Sequence, residues 1–219
     1  MISLHVDVPY ASFRKSFARS FAETYPLPPP STIYGMLLSL IGEYFRAQHE
    51  GVRLAFAYKK LPRIATTLRK LSRYKYGVPS KQATLGNAPD FIETLCDIEF
   101  LCWINSANER HAKDETDTLE WRVRRVLTNP ADVNRRGVLC LGLSDDVVNS
   151  VTLYDKFDGS WHRLLPSDTG RMELPVWVDH VGAAHTRWRR FEFEETPSVI
   201  NASPGNVEWE WTEIIDPRR

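Results

Sequence analysis

Tyr25-Pro26-Leu27-Pro28-Pro29-Pro30 runs directly into Ser31-Thr32-Ile33-Tyr34-Gly35-Met36-Leu37-Leu38. Three consecutive prolines hold the backbone near polyproline II and withdraw three backbone donors, so the chain arrives as a stiff turn. Ser31 or Thr32 then offers a hydroxyl cap to a helix. Its apolar face runs through Ile33, Leu37, Leu40, Ile41 and Phe45, and the spacing predicts a helix over 31–48, closed near Gly51. Gly35 and Gly42 share a face that another backbone can approach closely. A capped helix start presents N–H groups and the positive end of the dipole to an anion. The same residues also suit a plain loop-to-helix junction.

Outward from this junction the chain alternates strands and helices. Ile2 to Val8 switches between apolar and polar residues and reads as a strand, and Pro9 to Pro30 as a long loop. Val52 to Lys59 is a second strand. Arg63 to Pro89 has weak periodicity and contains Gly77, Pro79, Gly86 and Pro89; a segment of that length without periodic order is usually functional or disordered. Asp97 to Ile104 reads as a strand with Phe100 and Cys102 opposite Leu101 and Trp103. Thr116 to Leu127 reads as a helix capped by Thr118, burying Leu119, Val123, Val126 and Leu127, and stopped at Asn129-Pro130. Gly137 to Leu143 is the expected fourth strand. The order strand, helix, strand, strand, helix, strand is the ferredoxin-like arrangement shared with the RNA-recognition motif, an α+β class. No Gly-Phe-Gly-Phe-Val signature of a base-stacking sheet is present.

Residues 149–219 form a small antiparallel β-rich subdomain or an extension of the sheet, following a first domain over 1–148. Val151–Tyr154, Asp158-Gly159 and Trp161–Leu165 suit a hairpin. Phe191 and Phe193 alternate with Glu192 and Glu194, and Val207, Trp209 and Trp211 with Glu208 and Glu210, as half-buried strands with an acidic outer face. The aromatics there suit either core packing or a protein interface.

Net charge is zero, yet its distribution is uneven. Residues 1–89 carry 13 Lys/Arg against 4 Asp/Glu, and residues 90–219 carry 15 against 24. From Gly51 to Pro89 there are nine cations and no acid: Arg53, Lys59, Lys60, Arg63, Arg69, Lys70, Arg73, Lys75 and Lys81, with Tyr58, Tyr74 and Tyr76 among them. Cations without local neutralisation repel one another unless a polyanion supplies the counter-charge, which points to nucleic acid.

The Phe13-Arg14 pair, the proline-rich turn, Ser31-Thr32-Ile33-Tyr34-Gly35 and the apolar helix, in that order, resemble the N-terminal signature of the fifth Cas protein family. Cys140-Leu141-Gly142-Leu143-Ser144 is similar to that family's Leu-Gly-x-Ser turn. The resemblance spans about residues 1–150 and fades beyond. It implies a ferredoxin-like fold with a protruding basic thumb hairpin at about 63–90. It also implies a non-catalytic Cascade subunit that grips the five-prime handle of CRISPR RNA. Its implied partners are the large subunit, the first backbone subunit and target DNA near the protospacer-adjacent motif. Under that reading Arg14, Lys15 and Arg19 neutralise handle phosphates, Ser31 and Thr32 supply the helix start, and Tyr25 and Tyr34 contact unpaired bases. Lys59, Lys60, Arg63, Arg69, Lys70, Arg73, Lys75 and Lys81 form the basic thumb and its base.

The alternative is a metal-independent endoribonuclease, which one branch of the family exemplifies with a tyrosine, a lysine and a histidine. Such cleavage needs a base, an acid and cations around the scissile phosphate. The histidines of the basic half are His5, on a strand, and His49, at a helix end. No metal or cofactor is expected: His180 and His185 have no acid in metalloprotease register, and Asp155 with Asp158 is only a fragment of a calcium loop. Cys96, Cys102 and Cys140 are odd in number and not spaced as zinc ligands. With a strand at Met1–Val8 in place of a leader, they point to a cytoplasmic chain. No stretch reaches the ~18 apolar residues of a membrane span.

Overall fold

A computed structural model describes residues 1–15, 21–73, 86–155, 159–181, 184–200 and 211–218, with the side chains of 69–73 and 86–89 left out. The chain is mixed α+β on a large antiparallel sheet. Strand β1 (Ile2–Ala11) buries Ile2, Leu4, Val6 and Val8, as its alternation predicts. It pairs antiparallel with β5 (Gly86–Asn105), from Ile2 opposite Ile104 to Ala11 opposite Leu95. β3 (Arg53–Tyr58) lies on the other flank of β5, and β6 (Ser150–Leu153) on the outer flank of β1. The central order is β6-β1-β5-β3. Helices α1 (Pro30–Leu40) and α2 (Leu119–Thr128) cover one face, where Ile33, Leu37, Leu119 and Val123 join Leu4, Val6, Phe56 and Phe100 in one core. Each such buried side chain contributes about 1.5–3 kcal/mol. Thr118 caps α2 through the Trp121 amide, as expected.

α1 is shorter than its sequence suggests. It starts at Pro30, preceded by Pro29 with no side-chain cap, so Ser31 and Thr32 sit within the first turn rather than before it. Proline at the first helical position already has the right φ and lacks only a hydrogen that would be orphaned anyway. The helix ends where Gly42 enters the left-handed region at φ 72. Phe45 therefore leaves the expected apolar face and is 76% exposed.

The fourth strand is Ser150–Leu153, not Gly137–Leu143. Gly137 and Gly142, at φ 80 and 113, interrupt the extended backbone, and only a Cys140–Val147 bridge forms. Val151–Tyr154 and Trp161–Leu165 do not make a hairpin with each other: β6 pairs with β1, whereas β7 (Ser160–Pro166) pairs with β3. The path continues through β9 (Arg187–Phe193) to β8 (Met172–Trp177), so the C-terminal strands extend the same sheet. β10 (Ser198–Val199) pairs with β7, and β11 (Thr212–Glu213) with β3. Phe191 is buried and Phe193 packs on the core; Asp158, Val207 and Trp209 lie outside the described residues.

β5 is far longer than 97–104. Its first half pairs with β4 (Arg63–Arg73), from Arg63 opposite Cys96 to Arg73 opposite Gly86, forming an antiparallel arm. β2 (Phe21–Ala22) joins parallel at Phe91–Ile92. Ile64 to Leu68 are all exposed, so no buried face imposed a periodic pattern. Asp97 marks the junction with φ 58, a conformation that aspartate tolerates better than most residues.

Candidate nucleic-acid interface

The end of β1 is laced to the proline turn. Arg14 bridges Thr24, the Phe13 amide donates to Thr24 Oγ1 at 2.8 Å, and the Tyr25 amide donates to the Phe13 carbonyl at 2.9 Å. The same strand end holds the Cys140–Ser144 turn. Buried Asp146 accepts from the Ser12 and Leu143 amides, both at 2.8 Å, through one carboxylate oxygen. Gly142 fits here because a Cβ would lie 2.8 Å from the Ser12 carbonyl and 2.7 Å from Asp146. Two motifs distant in sequence thus converge on the start of α1.

Two adjoining clefts open there and share Thr32, Gly142 and Val178. The larger, about 480 Å³, is lined by Ser31, Gly35, Arg46, Arg135, Arg136 and His180 among others. The smaller, about 260 Å³, takes Arg14, Tyr25, Pro29, Leu143 and Trp188. Together they form one groove with four arginines among the described residues. Arg46 donates to the Val178 carbonyl at 2.9 Å and lies 4.5 Å over the Trp177 ring. Glu43, the carboxylate on the rim among the described residues, is engaged by Arg122 at 2.8 Å and by the Tyr44 and Phe45 amides at 2.9 Å. Burial alone would raise its pKa, but those bonds hold it below the ordinary glutamate value. Desolvation, then nearby Arg46, lowers the His180 pKa, keeping that ring neutral at pH 7. Arg135 Nη1 and Ser31 Oγ are buried atoms with no hydrogen-bond partner among the described residues. Buried polar groups rarely stay unpaired, and here the unpaired ones border a cationic groove at a helix start, an arrangement chemically suited to an anion.

The residues expected from sequence distribute unevenly. Arg14, Tyr25, Ser31 and Thr32 line the groove; the Tyr25 ring packs against Trp188 at 6.0 Å. Lys15 lies close by, paired with Glu23 at 3.0 Å. Tyr34 is 1% exposed and its hydroxyl donates to the Arg46 carbonyl, so it has no ring face for a base. Burial raises its pKa further. Lys60 and Arg63 share Asp97, at 3.3 and 2.6 Å. The basic run is therefore partly neutralised from β5, which its local sequence does not reveal. Lys59 stands apart, its ammonium 4.8 Å from the Trp161 ring. Arg69, Lys70 and Arg73 belong to β4, with side chains undescribed; Arg19, Lys75 and Lys81 fall outside the described residues. Arg46, Arg135, Arg136, His180 and Trp188 were missed. Only the Arg135-Arg136 pair, just before the second motif, carried a readable signal.

His49 is fully buried between Glu109, at 2.9 Å, and Arg122, at 3.1 Å. Among the described residues no group of three or more His, Cys, Asp or Glu could hold a metal, and no helix is long and apolar enough to cross a membrane.

Residues 1–73 match the family model described as CRISPR-associated protein (Cas_Cas5). Over 197 residues the chain is 38% identical to CRISPR-associated protein Cas5 of Myxococcus xanthus (strain DK1622), covering 89% of this chain and 91% of that one. A solved chain described as CRISPR RNA-guided surveillance complex aligns with a TM-score of 0.58 at 14% identity over 94% of each chain. Another, described as crystal structure of Cas protein, aligns with a TM-score of 0.50 at 17% identity over 88% of this chain and 93% of that one. At such identities the structural likeness speaks for the fold. On the strength of the sequence relationship, the chain belongs to the CRISPR-associated Cas5 family.

Proposed function

We propose that this chain is a non-catalytic, cytoplasmic subunit of a Cascade-type CRISPR effector that holds the five-prime handle of the guide RNA in the groove at the start of α1. The observation that carries the reading is the convergence of Arg14, Tyr25, Ser31 and Thr32 with the Cys140–Ser144 turn on that groove, with Arg135 Nη1 and Ser31 Oγ unpaired among the described residues. Arginines there neutralise phosphates, and the first turn adds the Ser31 hydroxyl and the positive end of the helix dipole. Under this reading the strand order β6-β1-β5-β3 with two helices on one face is a ferredoxin-like core. The β4–β5 arm serves as the thumb and leans on guide backbone or target DNA near the protospacer-adjacent motif. Residues 1–148 supply the arginines of the groove, while 149–219 complete its wall with Val178, His180 and Trp188 and meet the backbone and large subunits.

The test is co-expression with the neighbouring genes and a CRISPR array, followed by sequencing of the co-purifying RNA. Guides with one defined five-prime end, lost with Arg135→Glu/Arg136→Glu while the complex still assembles, support the proposal. Unchanged guide recovery with that variant overturns it. Guides processed only when this chain is present would replace it with the endoribonuclease reading.

A further inference from the structure

The sheet face opposite α1 and α2 is the place where an RNA-recognition motif stacks bases, and the sequence carries no aromatic signature for that use. Much of this face is sealed: Trp161 and Ile200 pack over Ala55, Ala57, Leu101 and Trp103. Next to the seal, a cleft of about 350 Å³ remains open, bordered by His5, Lys59, Glu99, Thr152, Tyr154 and Trp161. Strand register assembles it. His5 lies opposite Thr152 on β6, and Glu99 is reached on the neighbouring β5, where its carboxylate bonds His5 Nε2 at 3.0 Å.

The chemistry of this cleft is specific. The His5 ring lies nearly parallel to Tyr154, 28° between planes and 6.0 Å between centroids, and meets Trp161 edge-on at 6.0 Å. Trp161 is buried and forms the floor. Lys59 is exposed at the rim. It makes no ion pair among the described residues, whereas the adjacent Lys60 and Arg63 are paired. Gly159, at φ 84, leaves room for the Lys59 ammonium. An apolar partner is mismatched to a lining of His, Lys, Glu and Thr, and an ammonium ligand is repelled by Lys59. A nucleotide fits each part: its base continues the His5–Tyr154 stack, its phosphate meets Lys59, and its ribose hydroxyl meets Glu99 or Thr152.

We infer that this cleft binds one nucleotide of single-stranded RNA, as a second contact on the sheet face opposite the groove. It does not depend on the handle reading, since the two sites lie on opposite faces and can be altered separately. The test measures binding of the full chain to a fluorescein-labelled 12-nucleotide single-stranded RNA, and to its deoxy counterpart, across a salt series. Lys59→Glu and His5→Ala should each weaken RNA binding about tenfold. His5→Phe, which keeps a flat ring, should stay within about twofold of wild type. Wild-type affinity in a folded Lys59→Glu protein overturns the inference, and because Lys59 is exposed this arm stands even if His5→Ala fails to fold. Equal binding of the deoxy strand, with equal sensitivity to Lys59→Glu, overturns the assignment to RNA.

Discussion

Replacing Asp146 with alanine should loosen the groove from behind while all four of its described arginines stay in the sequence. Its carboxylate is 2% exposed as a residue and binds the Ser12 and Leu143 amides at 2.8 Å each. A hydrogen bond to a charged group contributes about 1.5–3 kcal/mol, and an orphaned buried amide adds its own penalty. Removing two such bonds, with partial relaxation of an exposed turn, gives a destabilisation of about 3–5 kcal/mol. At this chain length each kcal/mol moves Tm by about 2–4 °C, so the expected fall is about 10 °C. Asp146→Asn can place its one carbonyl oxygen on both amides and loses only the charge, so it should fall by roughly half as much. The neighbouring, exposed Asp145→Ala serves as control and should shift Tm by less than about 2 °C. Thermal melts and urea titrations with an unchanged slope read the stability. RNA affinity, measured below all the transitions, should drop for Asp146→Ala and not for Asp145→Ala. A Tm within about 2 °C of wild type for Asp146→Ala would refute the idea that this carboxylate fastens the second motif to β1.

Arg135→Glu/Arg136→Glu should weaken RNA binding and flatten its salt dependence by about 0.7 for each phosphate left without a cation; a filter-binding series in rising salt measures this. Changing Arg69, Lys70 and Arg73 together to Glu should flatten the same plot if the arm leans on nucleic acid, and an unchanged slope removes the arm from the interface. Tyr34→Phe removes the bond to the Arg46 carbonyl and should cost about 1 kcal/mol of stability in urea unfolding, leaving RNA affinity unchanged. Glu43 has a pKa lower in the folded chain than in the unfolded one. Its stabilisation is thus complete above about pH 4.3 and is lost as pH falls through the lowered folded value. The stability gap between wild type and Glu43→Gln should be widest near neutrality and shrink below about pH 4 in urea titrations across pH.

The elements that sequence reading located well are those whose burial is one-sided. β1 alternates because only one of its faces meets the helices, and α2 announces itself through Thr118 and the spacing of Leu119, Val123 and Val126. Failures follow where tertiary partners decide. β6 and β7 look like a hairpin, yet each takes a separate flank of the central strands. Gly137–Leu143 has strand-like residues, but two left-handed glycines and the Asp146 carboxylate make it a loop. The groove was half legible: Arg14, Tyr25, Ser31 and Thr32 come from the motif, while Arg46 and His180 arrive from segments with no local mark.

β5 is at once the middle strand of the core and one full side of the arm, with 20 residues that extend about 65 Å. An arm built this way is a lever with its fulcrum inside the molecule. Load on the described end of the arm, at Arg73 and Gly86, passes along one continuous backbone, through Asp97 at φ 58, to Glu99 and the pairs with β1. Amide exchange along the strand should therefore fall off gradually from Gly86 to the centre rather than in a step. Whatever seizes the arm also pulls on the middle of the sheet, so docking at one end can be felt mechanically at the other.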